Sequence, residues 1–257
     1  MSFDADVLAC AAIVEKGDPE RFAAAMASPL AARKVLFPLY AFNVEVTRAP
    51  WVTQEPMIAE MRLQWWRDAL EEIANGVPVR RHEVVTPLST FLTAESAARL
   101  DRLVTARRWD IYKDPFEDET HFETYLTETT ASLMLAGLEA LGQDMSDQTV
   151  RTVEDLGYCT GLSRFLQAVP TLEDHGRIPL LDGRREAIGA LARDAGSRCP
   201  TRGALRSVID GAARPAVTEA FLAPAVLGEV AKRPQSVADG TIEIAPLKRS
   251  ILLWRWS

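Results

Sequence analysis

The chain has 257 residues, 47% of them apolar, and a net charge of −7. That length holds one large core or two small ones, and the acidic balance argues against a general nucleic-acid binder, which needs a basic face to neutralise phosphates. Three cysteines, Cys10, Cys159 and Cys199, are odd in number and widely spaced, so no disulfide framework or zinc site is expected and a reducing cytoplasm is the simplest setting.

In chain order, the first stretch, MSFDADVLACAAIVEKGDPERF, is acidic early and has neither the basic start of a secretory signal nor the Arg-rich character of a transit peptide. No apolar run reaches the length needed to span a bilayer. Apolar residues recur at spacings of three and four, and alternating β-branched runs are scarce. The pattern predicts helices over 4–15, 19–27, 30–48, 56–75, 88–113, 120–142, 147–168, 184–196, 202–212, 216–231 and 246–256. Ala49-Pro50, Asn75-Gly76, Asp114-Pro115, Pro170, Cys199-Pro200 and Arg233-Pro234 punctuate them. With no repeat, low-complexity tract or linker, the expectation is an all-α protein of one domain, residues 1–257, carrying a basic aromatic C-terminal segment at 246–257.

The helix PMIAEMRLQWWRDALEEIA, Pro56 to Ala74, projects Glu60, Gln64, Arg67 and Glu71 onto one stripe, expected to be solvated. Ile58, Met61, Trp65, Ala69 and Ile73 fall opposite, with Arg62 in their midst. A guanidinium buried there needs an anionic or carbonyl partner. A structural ion pair, an anion site in a cavity, and snorkelling to solvent are the three readings.

Five segments then occur in order: ARKVLFPLYAFNVEV, MRLQWWRDAL, FETYLTETTASLM, LGYCTGLSRFLQAVP and HGRIPL. Together they resemble the squalene and phytoene synthases over roughly Ala31 to Leu180. The resemblance implies an isoprenoid-synthase-type helical bundle around a central cavity. In that family two facing helices each carry an Asp-x-x-x-Asp type pair, whose i, i+4 spacing sets both carboxylates on one face. They hold magnesium against the substrate diphosphate.

On this chain the first pair falls at Thr47 and Trp51, with Arg48 as a neighbour, and the second at Ala168 and Leu172, just before the matching Gly176, Arg177 and Ile178. Every metal-binding carboxylate is missing, and Arg48 would repel a metal. The cavity-facing stripes become Asn43, Thr47, Trp51 and Thr160, Arg164, Ala168, Leu172. The segments TYLTETTASLMLAGLEALG, LQAVP and AFNVE are most similar to the branch of the family that includes a mitochondrial complex I assembly factor without the aspartate motifs. That branch implies a role in respiratory-complex assembly at a membrane surface.

Other acidic pairs read as structural. Asp68 and Glu72 suit a solvated face, Glu119 and Glu123 a helix start. Asp110 and Asp114 precede Pro115, where the helix ends, and suit capping or pairing with Arg107 and Arg108. His82, His121 and His175 form no metal-binding repeat, and no phosphate loop or nucleophile elbow occurs. Cys159 reads as a small buried hydrophobe.

Candidate anion- or ligand-binding residues are Tyr40, Asn43, Arg48, Arg62, Arg164, Gln167 and Arg177, since fixed guanidiniums hold phosphate directly. The opposing expectation for Arg48 is pairing with Glu45. The segment PLKRSILLWRWS suits either a membrane interface or a terminal helix docked on the core. The reading is a non-catalytic member of this family with no catalytic residue, metal or cofactor. It acts as an assembly or binding factor for a respiratory complex, its partner a complex subunit. It is expected to be bacterial, cytoplasmic and peripheral on the inner membrane, with no nucleic-acid partner. The alternatives are a prenyl transferase with atypical ligands and a lipid or isoprenoid binder.

Overall fold

A computed structural model describes residues 4–257. The described residues form helices and connecting turns, with no strand among them. The order is α1 (Ala5–Gly17), α2 (Pro19–Met26), α3 (Leu30–Arg48), α4 (Pro56–Ala74), α5 (Val85–Leu88), α6 (Ala94–Ala106), α7 (Glu119–Glu128), α8 (Ala131–Ala140), α9 (Asp147–Asp174), α10 (Arg185–Arg198), α11 (Arg202–Val208), α12 (Ala223–Lys232), α13 (Gln235–Ala238) and α14 (Pro246–Trp256). Two 3₁₀ segments, Arg107–Asp110 and Arg214–Ala220, complete it.

Side-chain caps set several starts. Asp4 caps α1, Asp18 caps α2, Thr93 caps α6, Asp118 caps α7, Ser146 caps α9 and Thr201 caps α11, each accepting from a backbone amide of the first turn.

Three expected helices break. The run 88–113 becomes α5, a turn, α6 and a 3₁₀ segment, because Thr93 accepts from the Ser96 amide and restarts the helix. The run 120–142 divides at Thr129–Thr130. The Thr129 hydroxyl donates to the Tyr125 carbonyl, and Thr130 has a non-helical φ of −126°. The run 216–231 is a 3₁₀ segment followed by α12, with Pro224 in the first turn, where its missing N–H costs nothing. The run 147–168 is instead too short. α9 continues through Pro170 to Asp174, and the buried Val169 and Leu172 offset the hydrogen bond that the proline removes.

The projection of α4 also needs correction. Its buried stripe is Ala59, Leu63, Trp66, Ala69, Leu70 and Ile73, while Ile58 and Met61 are exposed. α4 packs on α6 and is rotated accordingly, so Arg67 pairs with Asp101 of α6 at 2.7 Å instead of facing open solvent. Arg62 is exposed, with no ion pair among the described residues.

A large core joins α1, α3, α4, α6 and α8. A second, built on α7, α9, α10 and α12, stacks aromatics around Trp109, Phe116, Tyr125 and Phe165. Cys159 is fully buried in the second core and donates to the Ala195 carbonyl at 3.2 Å. The fold brings Cys199 beside it, and that hydrogen-bonded neighbour, with burial, pushes the Cys159 thiol up.

Candidate functional site

A cavity of about 380 Å³ lies between α3 and α9, closed off by the α1–α2 corner on one side and by α7 on the other. α9 can sit this close to α7 and α8 because Gly157 and Gly161 face them. A Cβ on Gly157 would lie 2.7 Å from the Ala131 backbone, and one on Gly161 2.7 Å from the Leu126 carbonyl oxygen. Of the two, Gly161 is itself part of the cavity wall.

The five degenerate motif positions, Thr47, Arg48, Trp51, Ala168 and Leu172, all line this space, as do Asn43 and Arg164. The expected facing helices are present, with Asn43 and Thr47 on α3 and Arg164, Ala168 and Leu172 on α9, but α3 ends at Arg48 and Trp51 reaches the space from the turn that follows. Thr160 is the exception on α9. Its hydroxyl bonds to the Leu156 carbonyl at 2.7 Å, and Gly161 takes its place on the wall.

Two buried charge clusters dominate the lining. In the first, Asp18 accepts from the Arg21 amide at 3.0 Å and from its Nη1 at 2.7 Å. Arg21 Nε donates to Glu219 Oε2 at 2.5 Å. Arg164 Nη1 approaches the same Glu219 oxygen at 3.0 Å, outside hydrogen-bonding geometry. Burial alone would raise the Asp18 carboxyl, but Arg21 and Arg164 overcome it and hold the pKa at about 2. The Tyr40 ring lies 5.7 Å from the Arg21 guanidinium, and burial together with Glu219 pushes its hydroxyl well above the ordinary value. In the second cluster the Tyr125 hydroxyl donates to Asp110 Oδ1 at 2.9 Å, and Arg107 reaches Asp110 at 3.1 Å and Tyr125 at 2.8 Å.

Arg21, Arg107 and Arg164 thus meet Asp18, Asp110 and Glu219, so the two clusters are neutral, and the fourth lining arginine, Arg48, is paired with Glu45. Polar atoms without a partner remain: Tyr40 Oη, Asn43 Oδ1, Thr47 Oγ1, Arg107 Nε and Glu219 Oε1. Val44, Leu126, Phe165, Ala168 and Leu172 make the rest of the lining largely apolar.

Several expected ligand residues lie elsewhere. Arg48 stands at the rim, its side chain 60% exposed and paired with Glu45 at 3.2 Å. Arg62 lines a separate groove with Met61 and Trp65, because α4 turns it away from the cavity. Gln167 is exposed on the outer face of α9 and donates back to the Ser163 carbonyl. Arg177 is buried, but its donors are taken by the backbone carbonyls of Trp109, Asp110 and Tyr112, and its guanidinium lies between the rings of Trp51 and Trp109 at 5.0 and 5.1 Å. It is a clamp on the 109–112 turn. Arg108 pairs with Glu60, leaving Arg107 as the local partner of Asp110, and Asp114 is exposed.

The residues missed from sequence are Asp18, Arg21, Arg107, Tyr125 and Glu219. Glu219 had a legible signal, since a lone acid within the apolar run AVTEAFLAPAV must find a cation.

The magnesium that the family resemblance implies does not fit these residues. Oxygen ligands are required, carboxylates above all, yet the motif positions carry no carboxylate and only the single hydroxyl of Thr47, and Asp18, Asp110 and Glu219 are each committed to arginine. No group of three or more His, Cys, Asp or Glu is placed to hold a metal among the described residues.

Two solved structures share the fold. One is a dehydrosqualene synthase in complex with ligand, TM-score 0.80 and 20% identical, covering 98% of this chain and 95% of that one. The other is squalene synthase HpnC from Alicyclobacillus acidocaldarius, TM-score 0.71 and 14% identical, covering 90% and 94%. In sequence, the chain is 33% identical over 172 residues to the NADH dehydrogenase (ubiquinone) complex I assembly factor 6 homolog of Drosophila melanogaster, covering 63% of this chain and 50% of that protein. It is 25% identical over 163 residues to the corresponding Homo sapiens protein, covering 63% and 48%. The matches span about half the length of these relatives. Residues 14–182, well over half of the chain, match the squalene/phytoene synthase family, and with the shared fold and the facing α3 and α9 this chain belongs to that family.

Proposed function

We propose that the chain is a non-catalytic squalene/phytoene-synthase-type protein that serves the assembly of a complex I type respiratory complex. The observation that carries this is the cavity wall itself. Thr47, Trp51, Ala168 and Leu172 stand where the family's metal-binding carboxylates belong, and every nearby carboxylate is bound to an arginine. Such a wall offers a diphosphate neither metal nor free positive charge. The assembly role rests on the relatives named complex I assembly factor 6. Its partner is a subunit of the complex, met at the membrane surface. Among the described residues no helix is long and apolar enough to cross a membrane.

Two measurements test this. Incubation with magnesium and farnesyl or geranylgeranyl diphosphate should release no diphosphate above background, and metal-dependent turnover would restore the prenyl-transferase reading. Deleting the gene should lower NADH-dependent quinone reduction and the amount of assembled complex. Normal complex levels would end the assembly reading.

A second reading, a binder of an uncharged apolar ligand, is favoured by the open cavity and its unpartnered Asn43 and Thr47 oxygens. Its volume lies in the range of small-molecule sites, roughly 300–1,000 Å³. Calorimetric titration should then give a stronger signal for farnesol than for farnesyl diphosphate. The reverse order would favour the anion-binding role expected for Arg48 and Arg164.

A further inference from the structure

The C-terminal helix α14 has two unlike faces. Leu252, Leu253 and Trp256 turn inward onto a small core of Phe221, Leu222, Val226 and Ile244. Arg249 ties the helix to Glu20 of α2 at 2.8 Å. These contacts fix its orientation. The opposite face carries Leu247, Ile251 and Trp254 at i, i+4 and i+7, one stripe of a helix. They are 74%, 47% and 78% exposed, and Trp254 is the most exposed large apolar side chain among the described residues.

The surroundings of this stripe are basic on a protein whose net charge is −7. No acidic residue occurs from Ile244 to Ser257, while Lys248 and Arg255 are exposed. Arg206 of α11 and Arg255 of α14 each lie near enough to Arg202 of α11 to act on it electrostatically, and their repulsion adds to burial in lowering the Arg202 guanidinium. None of these three arginines makes an ion pair among the described residues. Unneutralised like charges destabilise the folded state slightly, and an anionic partner relieves that cost.

We propose that α14, with Arg202 and Arg206, is a docking face for an anionic lipid surface. Leu247, Ile251 and Trp254 would enter the headgroup boundary while the guanidiniums meet lipid phosphates. The shape favours a membrane over a protein partner. The stripe is a convex ridge, and none of the four main cavities is lined by an α14 residue that would give a partner helix a groove. At 11 residues the helix is about 16 Å long, half of a bilayer core, so it lies in the interface and does not span it. This inference stands on the surface of α14 alone and does not depend on the assembly reading.

The test is co-sedimentation of the whole chain with vesicles of phosphatidylcholine alone or mixed with phosphatidylglycerol. Partitioning should be at least about tenfold stronger on the mixed vesicles and should fall with added salt, since the attraction of surface arginines to anionic headgroups is electrostatic and screened. One variant, Leu247→Ser with Trp254→Ser, removes the apolar stripe. A second, Arg202→Glu, Arg206→Glu and Arg255→Glu, reverses the charge. Each should lower partitioning by about tenfold or more, with unfolding midpoints close to the parent because the altered side chains are outside the core. Equal binding to both vesicles, binding unchanged in both variants, or no binding at all would overturn the proposal. So would a wild-type dimer in sedimentation equilibrium that the Trp254 variant converts to monomer.

Discussion

Arg21 and Glu219 stand 198 residues apart in sequence and 2.5 Å apart in the fold, both fully buried, with Nε donating to Oε2. This contact joins the N-terminal corner of α2 to the 3₁₀ segment before α12, and Arg164 of α9 closes on the same carboxylate. At the edge of the cavity between α3 and α9 the chain thus holds opposed charges of its own.

Removing Glu219 should therefore be severe. Glu219→Ala takes the shared carboxylate from Arg21 and Arg164 and leaves Arg21 with Asp18 alone, and breaking a buried pair costs about 3–5 kcal/mol. Denaturant unfolding should show that loss. The combined change Asp18→Asn, Arg21→Met, Arg164→Met and Glu219→Leu should recover much of it, because removing all four charges together leaves none uncompensated.

Asp18 predicts a pH dependence. Its folded pKa is held at about 2, below the ordinary 3.8, so its contribution is fully present above the unfolded value and is lost as pH falls toward the folded one. The wild type should lose roughly 2 kcal/mol between about pH 5 and pH 2 from this group. Asp18→Asn should flatten that limb and be most destabilising near neutrality. An unchanged acid limb would contradict the assignment.

Arg177 was a candidate ligand residue, but its position makes it structural. Arg177→Met should cost about 2–4 kcal/mol by leaving the 109–112 carbonyls unsatisfied, and it should loosen Trp51, over which the guanidinium sits at 5.0 Å. Near-UV circular dichroism and thermal unfolding read both effects.

Gly157 tests the close approach of α9. An added methyl would meet the Ala131 Cβ at 2.4 Å, so Gly157→Ala should destabilise by about 1–3 kcal/mol through overpacking. Gly76→Ala probes a different cause. Nothing lies within 4 Å of its Cβ, but φ is +63°, so its smaller cost, of order 1 kcal/mol, is one of backbone strain.

Much was legible in the sequence. Helical spacing located most elements, with α3, α4 and α14 placed to within a residue, and the motif spacing put Thr47 on α3 opposite Ala168 and Leu172 on α9, with Trp51 just past the end of α3. The breaks at Thr93 and Thr129 were harder, because apolar periodicity continues across them while a hydroxyl diverts the backbone hydrogen bonds. The rotation of α4 was misjudged because Met61 and Ile58 are as apolar as Leu63. Which apolar side chains are buried depends on where α6 lies.

By itself the sequence determined that the chain is helical and, through its resemblance to the family, that the family's segments occur in order without the aspartates the resemblance implies for magnesium, since helical period and residue identity are local properties. Only the tertiary structure decided that the vacated positions still surround an open cavity, and that Arg21, Arg164 and Glu219 neutralise one another at its edge. It also decided that Arg62 and Gln167 face away. The physical reason is that the pairing of a buried charge is settled by contacts between distant segments, and no local pattern reports which segments will meet.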